Sequence, residues 1–456
     1  VGTVKIQNWK RSITYHANSV EVVDSVDRIV EIVKNSERYP SPVRVKGSHH
    51  STTDCVVAEG GTVIDISRLN RIISIDGDNL TIKMQAGVQH IDAARVLESM
   101  GLQFYVNVEL GNLTAGSGAC CATKDASYIS DGEMEYGQVD SYCIEMKIVQ
   151  ADGSIVSITE EDPELLEMMR GSYGLLGVIF EVVYKVKRIR PMAVEHVTYH
   201  VDEFAECLDA LIAGNRSMML YLFPFLDRVV VEYRYDGVGE IESHSWQWAL
   251  RNWVWKTGSP AFGRIVTTLV PFPRLRSWIL DRYNSLSHWV IIRVLRGTNT
   301  SPADQIIRYP EKAGFASYTF SIWAFPRETY GQTLRDYYQF SKAYFEAHGY
   351  RCDLLNVGYS IAQDRQSIFS YTRRGPALTL DPVSTGSTGW DAFLVAYNEF
   401  CSQHDGTPLF NQTKAVTTSQ SRIAFSEEIA RFNAYRNRID PQNRFYTPYF
   451  RNLLEQ

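Results

Sequence analysis

A chain of 456 residues is too long for one ordinary hydrophobic core, so two or three domains are expected. With 45% hydrophobic and 21% charged residues it is globular rather than disordered, and a formal charge of −6 excludes a broadly basic face for nucleic acid. No apolar run reaches the roughly 18–20 residues of a membrane span. The seven cysteines (Cys55, Cys120, Cys121, Cys143, Cys207, Cys352 and Cys401) keep no metal-ligand spacing and read as reduced thiols. The sequence as given opens on no apolar leader, so a cytoplasmic location is expected.

In chain order, residues 41–190 alternate short β-branched runs with turn residues: PVRVKG, TVIDIS, IISIDGDNLTIKMQAG, EMKIVQADGSIVSIT and GVIFEVVYKVKRI. Their period of two, with DGDN and ADGS as tight turns, predicts antiparallel strands and hairpins. SVDRIVEIVKNSERY and VQHIDAARVLESMG carry apolar residues at helical spacing, the second stopping at Gly101. Composition shifts near Lys187–Met192. AVEHVTYHV and RVVVEYRYD then read as strands separated by a helix around EFAECLDALIAG.

Residues 245–296 differ again. From Arg251 to Arg296 there are eight Lys/Arg against one acid, Asp281, with tryptophans interleaved. Two readings stay open: a buried helical hairpin whose arginines snorkel, or a surface that touches a membrane or an anionic, lipid-like substrate. Strand-like ASYTFSIWAFP, helix-like QTLRDYYQFSKAYFEAHG and DLLNVGYSI follow, and the chain closes on IAFSEEIARFNAYRNRIDPQNRFYTPYFRNLL without any internal repeat.

The chemistry-bearing stretches are loops. In VKGSHHSTTD, Val45–Asp54, adjacent His49 and His50 point apart in an extended loop and make a poor metal pair. His196 and His200 share a strand face but have no Cys or paired carboxylate nearby, so no metal is expected. Gly47, Ser48, Ser51 and Thr52 are small or hydroxylic, and successive backbone N–H groups in such a turn converge on phosphate oxygens. Neither a P-loop nor a G-x-G-x-x-G is present. Two further small-residue loops, LGNLTAGSGACCATKDAS (Leu110–Ser127) and GSYGLLGVIFEV (Gly171–Val182), suit close approach to a flat ligand.

Together and in this order the loops resemble the FAD-binding domain of the vanillyl-alcohol oxidase / p-cresol methylhydroxylase (PCMH) superfamily. The matching elements are a G-x-G-[HR]-S loop at Gly47–Ser51, VIDISRLNRI at Val63–Ile72, A-G-V at Ala86–Val88, G-N-L-T-x-G at Gly111–Gly116 and G-x-x-G-V-I at Gly174–Ile179, with an ADGS hairpin at Ala151–Ser154. The resemblance implies an α+β chain: a two-subdomain PCMH-type FAD-binding domain over 1–190, an α+β substrate-binding cap domain with an antiparallel sheet over 191–410, and a C-terminal segment, 411–456, that returns to the FAD domain.

It also implies the site. FAD would be held by Gly47, Ser48, His49, His50, Ser51 and Thr52 of the first loop. Gly111, Thr114, Ala115, Gly116, Ser117, Cys121, Thr123 and Lys124 of the second loop would join them, with Gly177, Val178 and Ile179 from the third. In flavin-linked relatives the histidine at position 50 bonds to the flavin 8α-methyl, so covalent FAD through His50 is expected; the alternative is unbonded FAD with His50 stacking or hydrogen bonding. His49 replaces the usual glycine, where a positive φ is wanted. Cys120 and Cys121 make a second, cysteinyl bond conceivable, though a small buried residue against the cofactor is the plainer reading of Cys121. Lys124 stands where many relatives have histidine.

For catalysis the resemblance points to Lys414, Asn411 and Tyr359, with Gln412 nearby. Relatives place a lysine at position 414, where it would hydrogen bond the substrate oxygen or stabilise reduced flavin; a solvated surface lysine is the alternative. The H-W of the H-W-x-K element in lactone oxidases is absent. Substrate contacts are assigned to Ser317, Thr319, Trp323 and Asn356.

The implied reaction is FAD-dependent oxidation of a CH–OH group in a sugar, polyol, sugar lactone or related natural product. Electrons would pass to dioxygen or another acceptor. A flavin-dependent C=C reductase or desaturase for a sterol- or lipid-like substrate is the alternative, and a non-catalytic binding protein of the same fold is a third. A small-molecule substrate is the expected partner, and peripheral membrane contact stays one of the two open readings of 245–296; oligomeric state is not legible.

Overall fold

The computed structural model describes residues 2–130, 132–214 and 216–455. Strands Ser19–Val22, Thr62–Asp65 and Val43–Lys46 form a three-stranded sheet in that order. Both pairings are parallel, not antiparallel as the alternation suggests. The reason is burial: Thr62–Asp65 is buried at all four positions, as a central parallel strand is, and the helix Val26–Lys34 makes the crossover.

The expected hairpins lie in the second sheet, ordered Ile155–Thr159, Cys143–Val149, Val178–Arg188, Thr81–Gln85 and Ile72–Asp76, with Leu102–Phe104 pairing the far end of Val178–Arg188. Its turns are closed by aspartates. Asp76 Oδ1 accepts the N–H groups of Asp78 and Asn79, and Asp152 Oδ1 that of Ser154. The helix His90–Ser99 ends before Gly101, whose φ is 71°.

An eight-stranded sheet follows, in the order Asn299–Thr300, Met192–His200, Arg228–Asp236, Ser217–Phe223, Asn356–Ile361, Ala377–Leu380, Trp323–Pro326 and Thr407–Pro408. Ser217–Phe223 is a wholly buried strand, which the reading of alternation passed over because it is a continuous apolar run. Its two faces serve two cores. Met218, Leu220 and Leu222 pack under the helices Val201–Ala213, Tyr330–His348 and Trp390–Gln403. Met219, Tyr221 and Phe223 belong to the core shared with the N-terminal half.

Segment 245–296 is helical: Trp246–Trp253, a π-helical turn Val254–Gly258, Ser259–Leu269 and Pro273–Leu295. Among the described residues no helix is long and apolar enough to cross a membrane. The C-terminal helices Thr418–Ile439 and Pro448–Leu454 return to the first core, where Phe432 and Phe450 join Ile29 and Val43. The Val43 N–H donates to Arg444 O at 2.8 Å, and the Arg444 guanidinium caps Ile32 O at 2.7 Å. Residues 364–372 make the same return, with Ser367 Oγ donating to Asp140 Oδ2 and Gln138 Nε2 to Ser370 Oγ, both at 2.8 Å.

Candidate active site

The strand Val43–Lys46 delivers Gly47–Ser51 against the second loop. A Cβ at Gly47 would lie 2.6 Å from Thr114 Oγ1, so only glycine lets the two loops touch here. Ser48 Oγ donates to Asn112 O at 2.6 Å, and Asn112 in turn accepts the Tyr309 N–H at 2.7 Å. His49 has φ 58°, the left-handed conformation that the absent glycine would supply and that histidine tolerates better than most residues.

The two imidazoles face different neighbours. His49 meets Tyr15 edge-on at 6.0 Å, whereas His50 stacks on Trp9 with centroids 5.0 Å apart and rings 19° from parallel. Tyr309 meets His50 at 5.8 Å. Burial pushes both imidazoles down to about 4, so each is neutral at neutral pH, and His50 Nε2 is buried without a hydrogen-bond partner.

Two cavities meet at this loop. A groove of about 2060 Å³ is lined by Lys46–His50, Gly87–Gln89, Asn112, Thr114 and Arg308 among others. A chamber of about 1030 Å³ is lined by Thr52, Thr123, Lys124, Asp125, Tyr309, Tyr318, Phe320, Tyr359, Asp381 and Gln412 among others. Asn8, Trp9 and His50 line both.

The chamber's polar groups are few and specific. Lys124 Nζ lies 2.7 Å from Asp381 Oδ2 and 3.7 Å from the centre of the Tyr359 ring. Burial pushes the Asp381 carboxyl up to about 6 despite the opposing lysine, and its Oδ1 is buried without a partner. Asp125 is clamped by Arg234 Nη1 at 3.1 Å. Lys10 Nζ donates to Thr385 O at 2.9 Å; burial, helped by Arg264, lowers its ammonium to about 8.

The residues expected to touch substrate are displaced by one position. Tyr318, Phe320 and Ile322 line the chamber, while Ser317, Thr319 and Trp323 do not. Ser317 accepts from Lys10 at 3.3 Å, Thr319 pairs with Ser384 in a short ladder, and the wholly buried Trp323 donates Nε1 to Asn398 at 2.9 Å. On the strand Asn356–Ile361, Val357 and Tyr359 line the chamber, whereas Asn356 donates to Tyr337 OH at 2.7 Å. The extended chain alternates faces at every residue, so an error of one residue in phase selects the far side.

Lys414 is a correction too. Its ammonium pairs with Asp391 at 2.8 Å, the side chains being 42% and 72% exposed, and it does not line the chamber. Asn411 contributes its carbonyl, which accepts the Thr52 N–H at 3.1 Å, while Gln412 lines the chamber. Of the expected cofactor contacts, Gly47, Ser48, His49, His50 and Thr114 line the groove, and His50, Thr52, Thr123 and Lys124 the chamber. Ser51, Gly111, Ala115, Gly116, Ser117 and Cys121 line neither and brace the loops from behind: Gly111 N–H donates to Ile307 O and Tyr184 OH to Ala115 O. Gly177, Val178 and Ile179 also line neither cavity; Val178 and Ile179 are buried within the second sheet.

Sequence reasoning missed Asn8, Trp9, Lys10, Trp255, Tyr309 and Asp381, all of which line the chamber. Only Asp381 carries a readable signal, as a lone acid in the apolar run PALTLDPVS. The donor set suits FAD: a cradle that a Cβ would fill, an orphaned imidazole nitrogen, and a groove that opens into an aromatic chamber.

A family model described as an FAD binding domain matches residues 17–159. Residues 17–159 thus carry an FAD-binding domain. The L-gulonolactone oxidase of Bos taurus is 21% identical over 458 residues, covering 99% of this chain and 98% of that protein. Among solved structures, cholesterol oxidase from B. sterolicum superposes with a TM-score of 0.78 at 14% identity, covering 99% of this chain and 97% of that one. Xylooligosaccharide oxidase from Myceliophthora thermophila C1, in complex with xylobiose, does so with a TM-score of 0.65 at 12% identity, covering 97% and 93%. The expected fold and the expected FAD-linked oxidoreductase are both met.

Proposed function

We propose that this flavoenzyme oxidises a CH–OH carbon of a sugar, polyol or sugar lactone and passes the electrons to dioxygen or another acceptor. The observation that carries the reading is the meeting of groove and chamber at His50, which sets a dinucleotide site end-on to a substrate site. Similarity to a lactone oxidase along nearly the whole chain supports the substrate class.

Bound FAD supplies the hydride acceptor. Gly47–His50 and Thr114 would hold it in the groove, with neutral His50 as the tether. Asp381, ionised above about pH 6, takes the substrate hydroxyl proton on Oδ1, and Lys124 holds the carboxylate in place through Oδ2. Tyr309, Tyr318, Phe320 and Trp255 offer faces for a sugar ring and keep water away. The division into 1–190, 191–410 and 411–456, a cytoplasmic location and contact with a membrane through 245–296 complete the reading.

Acid precipitation of the purified protein tests the cofactor. A yellow, fluorescent pellet is expected; a colourless pellet with flavin in the supernatant removes the tether, and a chain that refuses flavin removes the function. A panel of alditols, aldoses and lactones with a redox dye then tests the substrate class.

One observation favours the second reading. A further chamber of about 510 Å³ shares Trp255, Tyr318 and Val383 with the first and is walled by Val254, Ile291, Leu354 and Leu355, which suits an apolar substrate such as a C=C reductase or desaturase would take. A requirement for NADPH would decide for it.

A further inference from the structure

The long helix Pro273–Leu295 has its amphipathicity reversed. Its buried face carries Ser277, Asn284 and His288 beside Leu280, Ile291 and Leu295. Its outer face, at spacings of three and four, is Leu275, Trp278, Arg282, Leu286, Trp289 and Arg293. The four apolar members of that stripe are 48%, 57%, 62% and 52% exposed in chain order. A helix that needed only to cover its own protein would turn these toward the core.

The stripe continues onto its neighbours. Phe272 and Leu269, the last residue of the helix Ser259–Leu269, stand 68% and 73% exposed, and Trp246 and Trp253 project from the helix Trp246–Trp253. Among the described residues every tryptophan that stands exposed lies in this layer. The arginines are laid on the rings, Arg282 over Trp278 at 5.6 Å and Arg293 over Trp289 at 4.1 Å. The one acid, Asp281, is already neutralised by Arg351.

We propose that this face seats on an anionic lipid bilayer, with the tryptophans and leucines at the headgroup boundary and the arginines on lipid phosphates. The proposal deepens the membrane contact named above and rests on it. Charge selects the occupant: two copies of the face would oppose arginine to arginine, whereas an anionic surface rewards each basic residue by about fivefold in affinity. Protruding apolar side chains over a helical layer match shallow insertion of a helix lying in the interface plane. The layer is also joined to the site. Arg251, on the helix Trp246–Trp253, is ion-paired with Glu109 of the main chamber, and the apolar second chamber lies directly beneath Ile291 and Val254. A bilayer on the outer face would thus stand next to the cavity suited to an apolar tail.

The test is co-sedimentation of the flavin-loaded full-length protein with vesicles of phosphatidylcholine alone or with one-third phosphatidylglycerol. Binding to the anionic vesicles is expected, with release by high salt and little binding to the neutral ones. Trp278→Ser/Trp289→Ser and Arg282→Glu/Arg293→Glu should each weaken binding at least tenfold while the flavin spectrum and the turnover of a short soluble substrate stay unchanged. Equal binding to both vesicle types overturns the charge-led proposal but keeps a membrane contact. Binding to neither removes the contact itself. A dimer in sedimentation velocity that the tryptophan variants convert to monomer assigns the face to a second copy and overturns the proposal.

Discussion

Lys124 Nζ stands 2.7 Å from Asp381 Oδ2, while Asp381 Oδ1, buried beside it, accepts no hydrogen bond. One oxygen is anchored and the other is free, which is the arrangement a proton acceptor needs. Asp381→Asn should therefore lower kcat/KM by about 10²–10⁴-fold with the flavin spectrum intact. A variant within threefold of the parent would exclude Asp381 as the base.

The same pair sets a pH dependence. The carboxyl is raised to about 6, so it is protonated and unable to accept a proton below that pH; kcat/KM should fall tenfold per unit on the acid side. Lys124 pulls the carboxyl down, so Lys124→Met should move the limb to higher pH. Leaving a buried carboxylate unpaired should also cost about 3–5 kcal/mol of stability. A pH–rate profile and a denaturation curve of one variant check both.

Lys414 offers the opposite expectation. Its ion pair with Asp391 is exposed, and such pairs contribute about 0–1 kcal/mol. Lys414→Ala should keep kcat and KM within about twofold of the parent, a change near the limit of what 0.4 kcal/mol can produce. A loss of a hundredfold in the same assay would return the lysine to the site.

Strand phase makes a paired prediction. Phe320→Ala should raise KM at least tenfold because its ring walls the chamber. Trp323→Phe, three residues on, removes the hydrogen bond to Asn398 and part of a wholly buried ring, and should cost about 2–4 kcal/mol of stability with KM unchanged. The reverse pattern, a KM effect at 323 and none at 320, would put the substrate on the other face of the strand.

The loop contact at Gly47 can be tested by relief. Gly47→Ala drives a methyl to 2.6 Å from Thr114 Oγ1 and should destabilise the protein by about 1–3 kcal/mol, as overpacking does. Thr114→Ala in the same chain removes the obstructing atoms and should recover part of that loss. No recovery in urea unfolding would mean that the strain arises elsewhere.

What the sequence revealed follows from how local each feature is. The first two loops are legible because each is a short run of small residues and their order is distinctive, and residues of both line the groove; the third, Gly177–Ile179, lines neither cavity. The parallel pairing of Val43–Lys46 with Thr62–Asp65 was not legible, since alternation reports exposure of faces and not strand direction. The pocket walls failed for a different reason. Choosing Thr319 over Phe320 needs the absolute phase of a two-residue strand flanked by irregular chain, which local pattern does not supply. Trp9 and Tyr309 reach His50 from stretches 300 positions apart in the chain, and nothing in either local run announces it.

The clamp on the first loop has a temporal side. Thr52 and Thr53 hydrogen bond to the carbonyls of Gln412 and Phe410, some 360 positions downstream, and Val43 bonds to Arg444 near the end of the chain. A nascent polypeptide therefore lacks the closing wall of this pocket until residues 410–412 have been made, so the first loop cannot be clamped around flavin before that point.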